Sequence, residues 1–354
     1  MSRHANRMLK AGLSALYYSG AGELLSPLTR GAGVIFMMHR VSPQPVAAFE
    51  PNRILRVTPD FLERTVRHVI ARGFDCISLD EVPDRLAAPA GARPFACFTF
   101  DDGYRDNLEY AFPVLRRHRV PHTLYIPTEY TDGRGDLWWL VLENAIRISD
   151  RIRVVIGGRM LTFQTASVAE KDRAYDAIYW QLRCMPENEA RSVVADMART
   201  AGIDAAQLCS ELILGWDDLR KAVEDPLLTI GAHTCNHLAL SKLDAADAYR
   251  EMSESRARIE EELGRPCNHF SYPYGCEMSA GPREFELARQ LGYRTAVTTR
   301  KGLVHRGHAD KLTAIPRLSL NGDFQAPQYI DVMLSGLPFS LWNAARRIMN
   351  PVSA

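Results

Sequence analysis

The chain has 354 residues, 46% of them hydrophobic and 24% charged, which is the balance of an ordinary soluble globular protein and enough length for one large α/β domain with an insertion, or for two domains. A formal net charge of +1 without any basic block excludes an electrostatically driven nucleic-acid binder. Seven cysteines, an odd number without Cys-x-x-Cys spacing, argue against a zinc ribbon or a disulfide framework and fit reduced thiols in a cytoplasmic setting.

Residues 1–30 place Arg3, Arg7 and Lys10 ahead of a short apolar run at 11–18, with Glu23 and Arg30 behind it. The run is too short for a membrane span and lacks a cleavage site, so an amphipathic helical extension is expected, with no cleaved signal. Its apolar face suits packing on the rest of the chain or peripheral contact with the inner membrane. A buried strand at 34–38 then delivers His39 and Arg40 at its end. Thr58-Pro59 reads as an N-cap followed by proline at the first helical position, and Gly73 ends that helix. A second strand is expected at 76–79, a short helix at 80–87, a third strand at 95–100, a helix at 104–118 and a fourth strand at 123–126. Further on come strands at 227–230, 270–272, 294–298 and 315–320, separated by helices at 244–263 and 282–291. Strand and helix alternate, which with right-handed crossovers gives a parallel sheet with helices outside. Seven or so such units predict a (β/α) barrel, with chemistry at the C-terminal ends of its strands.

Residues 132–215 break this rhythm. Trp138-Trp139 opens an apolar helix, Gly157-Gly158 marks a hairpin turn, and charged helical segments follow at 169–184 and 187–201. The segment reads as a mainly helical insertion over one barrel end. Its two tryptophans could line a sugar groove or pack its own core. Residues 321–354 read as a helical tail with an amphipathic stretch at 330–349 containing Phe339, Leu341, Trp342, Arg346 and Arg347.

Three expected strand ends carry the candidate chemistry. Thr99-Phe100-Asp101-Asp102-Gly103 puts two carboxylates where the strand stops, and neighbouring carboxylates repel unless a cation relieves them. His233 and His237 follow the strand at 227–230, four apart on one face of a helical turn. One aspartate with two histidines and an open position is a catalytic metal set rather than a closed structural one. In Tyr272-Pro273-Tyr274-Gly275, the proline fixes the backbone and the glycine permits a sharp turn, so the Tyr274 N–H can face the site.

These motifs, in this order, resemble those of the polysaccharide deacetylase family, the NodB-homology domain of carbohydrate esterase family 4. The resemblance covers roughly residues 31–130 and 215–320, within a barrel over 31–320. It implies a distorted (β/α) barrel of the NodB type and metal-dependent removal of N- or O-acetyl groups from carbohydrate. On that resemblance Asp101 is the general base, Asp102, His233 and His237 hold the metal, and the Tyr274 N–H helps hold the oxyanion. Zn²⁺ suits such a set best, with Co²⁺, Ni²⁺ or Fe²⁺ as alternatives.

Two positions depart from the family pattern. Ser271 stands where an arginine usually orients the base, and Arg317 on the last strand is the expected substitute. Leu318-Ser319-Leu320 lacks the usual histidine acid, and His39 on the first strand, adjacent to the last in a barrel, is the expected replacement. The expected substrate is an acetylated glycan: chito-oligosaccharide, bacterial exopolysaccharide or lipid-linked sugar. The alternatives are an amide or imide hydrolase of the same fold acting on a small molecule, and a catalytically silent carbohydrate-binding module.

Overall fold

A computed structural model describes residues 3–89 and 91–349. The first two residues of the N-terminal extension and the last five of the C-terminal tail lie outside the described residues.

Seven parallel strands form a closed ring: β1 (Gly33–Met38), β2 (Phe95–Phe100), β3 (His122–Ile126), β4 (Leu228–Ala232), β5 (His269–Ser271), β6 (Thr295–Lys301) and β7 (Ile315–Ser319). Each strand pairs with the next, and β1 closes the ring by pairing with β2 along its whole length and with β7 at Phe36↔Leu318 and Met37↔Ser319. Barrel strands covered by helices have no water-facing side, so β1, β2 and β3 are buried at every position and read as continuous apolar runs. Neighbouring Phe36 and Phe98 meet with ring centroids 5.0 Å apart, and Thr99 Oγ1 donates to the Phe36 carbonyl at 2.7 Å. Gly231 in β4 lets strand and ring approach closely: a Cβ there would stand 2.5 Å from the Tyr125 ring.

The outer helices begin where their caps place them. Thr58 Oγ1 accepts from Phe61 N–H at the start of Pro59–Ala71, and Asp244 accepts from Asp247 N–H at the start of Ala245–Leu263. Phe61, Leu62, Val66 and Val69 then point inward and are fully buried, each worth about 1.5–3 kcal/mol relative to exposure. The expected strand at 76–79 is corrected. Only Asp75–Cys76 pairs, with Phe95 and Ala96 at the foot of β2. The chain then turns, because Glu81 accepts from both the backbone N–H and the hydroxyl of Ser78, and a 3-10 turn follows at Leu79–Glu81.

Between β3 and β4, helix Trp138–Ile148, hairpin Arg151–Ile156/Arg159–Gln164 and helices Val168–Cys184, Glu187–Ala201 and Ala205–Leu212 share an apolar cluster that includes Trp139, Ile146, Val154, Ile178 and Val194. The hairpin turns at Gly157 and Gly158, both left-handed (φ 58° and 75°). At the other flank, helices Arg3–Tyr18, Ala21–Thr29, Pro327–Leu334 and Leu337–Met349 pack together. Asn6 bonds Asp323 at 2.7 Å, and Thr29 Oγ1 donates to the Ser335 carbonyl.

Candidate active site

Four strand ends converge. Leaving β2, Asp101 keeps the ladder through its N–H to the Met38 carbonyl (2.9 Å), and Asp102 then flips to the left-handed region (φ 74°). That flip sends two adjacent carboxylates to different partners. Leaving β4, Thr234 (φ 66°) and His237 (φ 55°) are also left-handed, with Thr234 Oγ1 accepting from His237 N–H at 2.9 Å. After β5, Tyr274 (φ 60°) and Gly275 (φ 56°) make a tight turn. Among the described residues, four of the six non-glycine residues with positive φ lie at this one site. Each such conformation costs on the order of 1–3 kcal/mol, and such strain clusters where a side chain must be aimed.

Asp102, His233 and His237 are all buried and bring one ligand atom each within 4.8 Å of the others. Asp102 Oδ1 stands 3.5 Å from His233 Nε2 and 3.3 Å from His237 Nε2 and has no hydrogen-bond partner. Two donor atoms each ~2.0–2.2 Å from a tetrahedral zinc would be about 3.3–3.6 Å apart, so this orphaned buried oxygen and its two imidazoles fit a divalent ion. His233 Nδ1–H donates to the Ser271 carbonyl at 2.6 Å, which fixes the tautomer that leaves Nε2 as ligand. Burial pushes the Asp102 carboxyl up, but the two imidazoles outweigh it and hold the group far below the usual carboxylate range. Burial pushes the His237 imidazole down, towards the neutral form that can ligate.

Asp101 is 2% exposed and answers to a different partner. Arg317 on β7 is buried too, and it clamps both carboxylate oxygens, NH1 to Oδ1 at 2.8 Å and NH2 to Oδ2 at 2.6 Å. Its remaining donors reach the Thr298 carbonyl (3.0 Å), Thr99 Oγ1 (3.1 Å) and Ser271 Oγ (2.9 Å), so all five are satisfied. Ser271 is therefore an acceptor for the arginine that replaces the one expected at its own position. Burial raises the Asp101 carboxyl, and Arg317 more than reverses this, so it lies below its ordinary value.

His39 is half-buried at the end of β1, its carbonyl held by Asn107 Nδ2 at 2.9 Å. A positive charge on His39 would act to lower both the Asp101 and the Asp102 carboxyl. The Leu320 N–H bonds the Met37 carbonyl at 2.9 Å, putting the end of β7 beside the residues that lead into His39. Tyr274 is anchored by Thr299, whose Oγ1 donates to its carbonyl at 2.6 Å. A Cβ on Gly275 would stand 2.5 Å from Thr299 N, so this turn requires glycine.

The insertion closes over His237. Trp139 and Tyr274 bring their ring centroids to 5.1 and 4.9 Å from its imidazole, and Tyr130 reaches 5.8 Å. Trp138 Nε1–H donates to Tyr274 Oη (2.7 Å) and Trp139 Nε1–H to Tyr104 Oη (3.1 Å). Each tryptophan is only 5% exposed, so neither forms an open sugar groove and both serve as roof. Two arginines escaped sequence reasoning. Arg183 stacks 3.6 Å above the Tyr274 ring, and Arg191 NH2 donates to the carbonyls of Asn236 (3.4 Å) and His237 (3.3 Å). Nothing in the spacing of a charged helix marks which arginine will reach across to a barrel loop.

Residues 89–296, more than half of the chain, match the family model described as polysaccharide deacetylase. A search of curated proteins returns no match. Among solved structures, the deacetylase PplD of Streptococcus pyogenes in complex with acetate is similar with a TM-score of 0.55 and 16% identity, over 85% of this chain and 97% of that one. IcaB from Ammonifex degensii aligns with a TM-score of 0.52 and 18% identity, covering 86% and 98% of the two chains. A de-N-acetylase from Aggregatibacter actinomycetemcomitans gives 0.53 and 12%, covering 84% and 98%. At these identities the likeness is one of fold.

Proposed function

The chain belongs to the polysaccharide deacetylase family, and from that premise we propose that it is a metal-dependent hydrolase removing acetyl groups, N-acetyl foremost, from a glycan. The observation that carries this reading is the split of two adjacent carboxylates, Asp101 to a buried arginine and Asp102 to two imidazoles.

In this reading Asp102, His233 and His237 hold the divalent ion, and the ligand set favours Zn²⁺, with Co²⁺, Ni²⁺ or Fe²⁺ as substitutes. Once bound, the ion would polarise the acetyl carbonyl and acidify a water. Asp101 takes the proton of the attacking water; Arg317 keeps it ionised and prevents it from rotating. The Tyr274 N–H is offered to the developing oxyanion from a turn that Thr299 and Gly275 hold rigid. His39 gives a proton to the amine nitrogen as the C–N bond breaks, so water and amide become acetate and amine. Chito-oligosaccharide, exopolysaccharide and lipid-linked sugar are the candidate substrates. All seven cysteines are free thiols, which supports a cytoplasmic setting.

One observation favours a second reading. The aromatic roof over His237 suits a small enclosed amide or imide as well as a glycan end. A silent binding module is disfavoured, because it has no need of a strained, ion-ready triad. The test is acetate release from a panel of N- and O-acetylated glycans alongside small cyclic amides, after chelation and after adding Zn²⁺ back. Acetate from an N-acetylated glycan, lost on chelation and restored by metal, is expected. Turnover confined to small amides, or indifferent to chelation, would overturn the proposal.

A further inference from the structure

We propose that the terminal helices form a face that seats the protein on an anionic lipid surface. Exposed large apolar side chains concentrate here. Leu28 (83% exposed), Leu24 (80%), Tyr18 (79%), Met8 (62%), Trp342 (61%) and Leu341 (52%) all belong to helices Arg3–Tyr18, Ala21–Thr29 and Leu337–Met349. In the first helix Leu13 is buried, while Met8, Ala11, Ala15 and Tyr18 recur at helical spacing along an outer stripe that is also apolar. In the second, Leu24 and Leu28 stand one turn apart on the solvent side.

The helices are fixed to one another, so these side chains share a preformed surface. Gly22 packs against Ser335, Thr29 Oγ1 donates to the Ser335 carbonyl, and the second helix touches the last. No helix among the described residues is long and apolar enough to cross a membrane, so the face would lie on a bilayer.

Charge selects the occupant. Residues 1–30 and 321–354 carry Arg3, Arg7, Lys10, Arg30, Arg346 and Arg347 against three acids, Glu23, Asp323 and Asp331, in a chain whose total formal charge is only +1. Glu23 pairs with Arg72 at 3.4 Å. Apolar side chains interleaved with excess positive charge are complementary to anionic headgroups over an acyl region. A second copy of this chain would bring the same positive charge and be repelled.

The test is co-sedimentation of the full chain with phosphatidylcholine vesicles with and without phosphatidylglycerol, alongside a Leu24→Glu/Leu28→Glu/Trp342→Glu variant. Binding that needs phosphatidylglycerol, falls with added salt, and drops roughly ten-fold or more in the variant is expected. The variant should keep its melting temperature, because all three side chains are already exposed. Wild-type protein that stays in the supernatant with phosphatidylglycerol vesicles, or a variant that sediments equally, would overturn the proposal. So would a concentration-dependent dimer that the variant abolishes while lipid binding is absent, because a second copy would then be the occupant.

Discussion

Replacing Arg317 by Met removes five donors and one charge from a buried position at roughly constant side-chain length. In the native protein the Asp101 carboxyl lies below its ordinary value, because Arg317 outweighs the cost of burial. The pair therefore stabilises the fold above about pH 4, and that stabilisation is lost only as the pH falls through the lowered value. Without Arg317 the largest opposition to burial is gone. Breaking a buried pair from one side costs about 3–5 kcal/mol. The Asp101 carboxyl should then rise, because burial favours its protonated form. The acid limb of kcat/KM for acetate release should therefore move to higher pH, with activity recovering as the pH is raised. Metal content should not change, because Arg317 bonds Asp101 and not Asp102. In an Asp101→Asn background the same substitution should cost far less, giving a coupling energy of at least about 2 kcal/mol by chemical denaturation. An unmoved acid limb together with additive stabilities would refute the reasoning.

Three further outcomes follow from the geometry. His39→Ala should lower kcat by about 10²–10⁴ and alter the basic limb of the pH profile with metal content preserved; an unchanged rate on the true substrate would remove His39 from the mechanism. Arg191→Ala releases the carbonyls of Asn236 and His237, and chelator competition should then show roughly ten-fold weaker metal binding, whereas equal affinity would leave the arginine a purely structural tie. Gly231→Ala drives a Cβ into the Tyr125 ring and should cost about 1–3 kcal/mol in denaturant melts; a neutral result would mean β3 and β4 can part more easily than their register implies.

The barrel was legible because its strands are short apolar runs that stop at residues with special backbone or side-chain needs. Phe95–Phe100 into Asp101-Asp102-Gly103 and Leu228–Ala232 into His233 are both of this kind. The false strand at 76–79 arose from reading β-branched and apolar residues while overlooking Ser78-x-x-Glu81, a capping box that ends extended backbone. The left-handed flips at Asp102, Thr234, His237 and Tyr274 left no trace in the sequence. L-residues avoid that region, so only the surrounding contacts can enforce it. The roof was half legible: the Trp138-Trp139 pair announced an aromatic element, but tertiary packing decided that both indoles would turn inward to Tyr274 and Tyr104. Arg317 could be anticipated because it lies on the last barrel strand, which closes the ring beside β1. Arg191 could not, because, besides its pairing with Asp136 and Glu187, it reaches backbone carbonyls of a loop 45 and 46 residues away.

The central claim is that two adjacent aspartates do different work, one holding a metal and the other moving a proton. Metal stoichiometry of purified Asp101→Asn and Asp102→Asn proteins, measured side by side with acetate release, tests it most directly. The Asp101→Asn protein should carry a full complement of metal and turn over at least about 10²-fold more slowly. The Asp102→Asn protein should bind metal weakly or not at all. An Asp102→Asn protein that retains its metal, or an Asp101→Asn protein that loses it, would contradict the account.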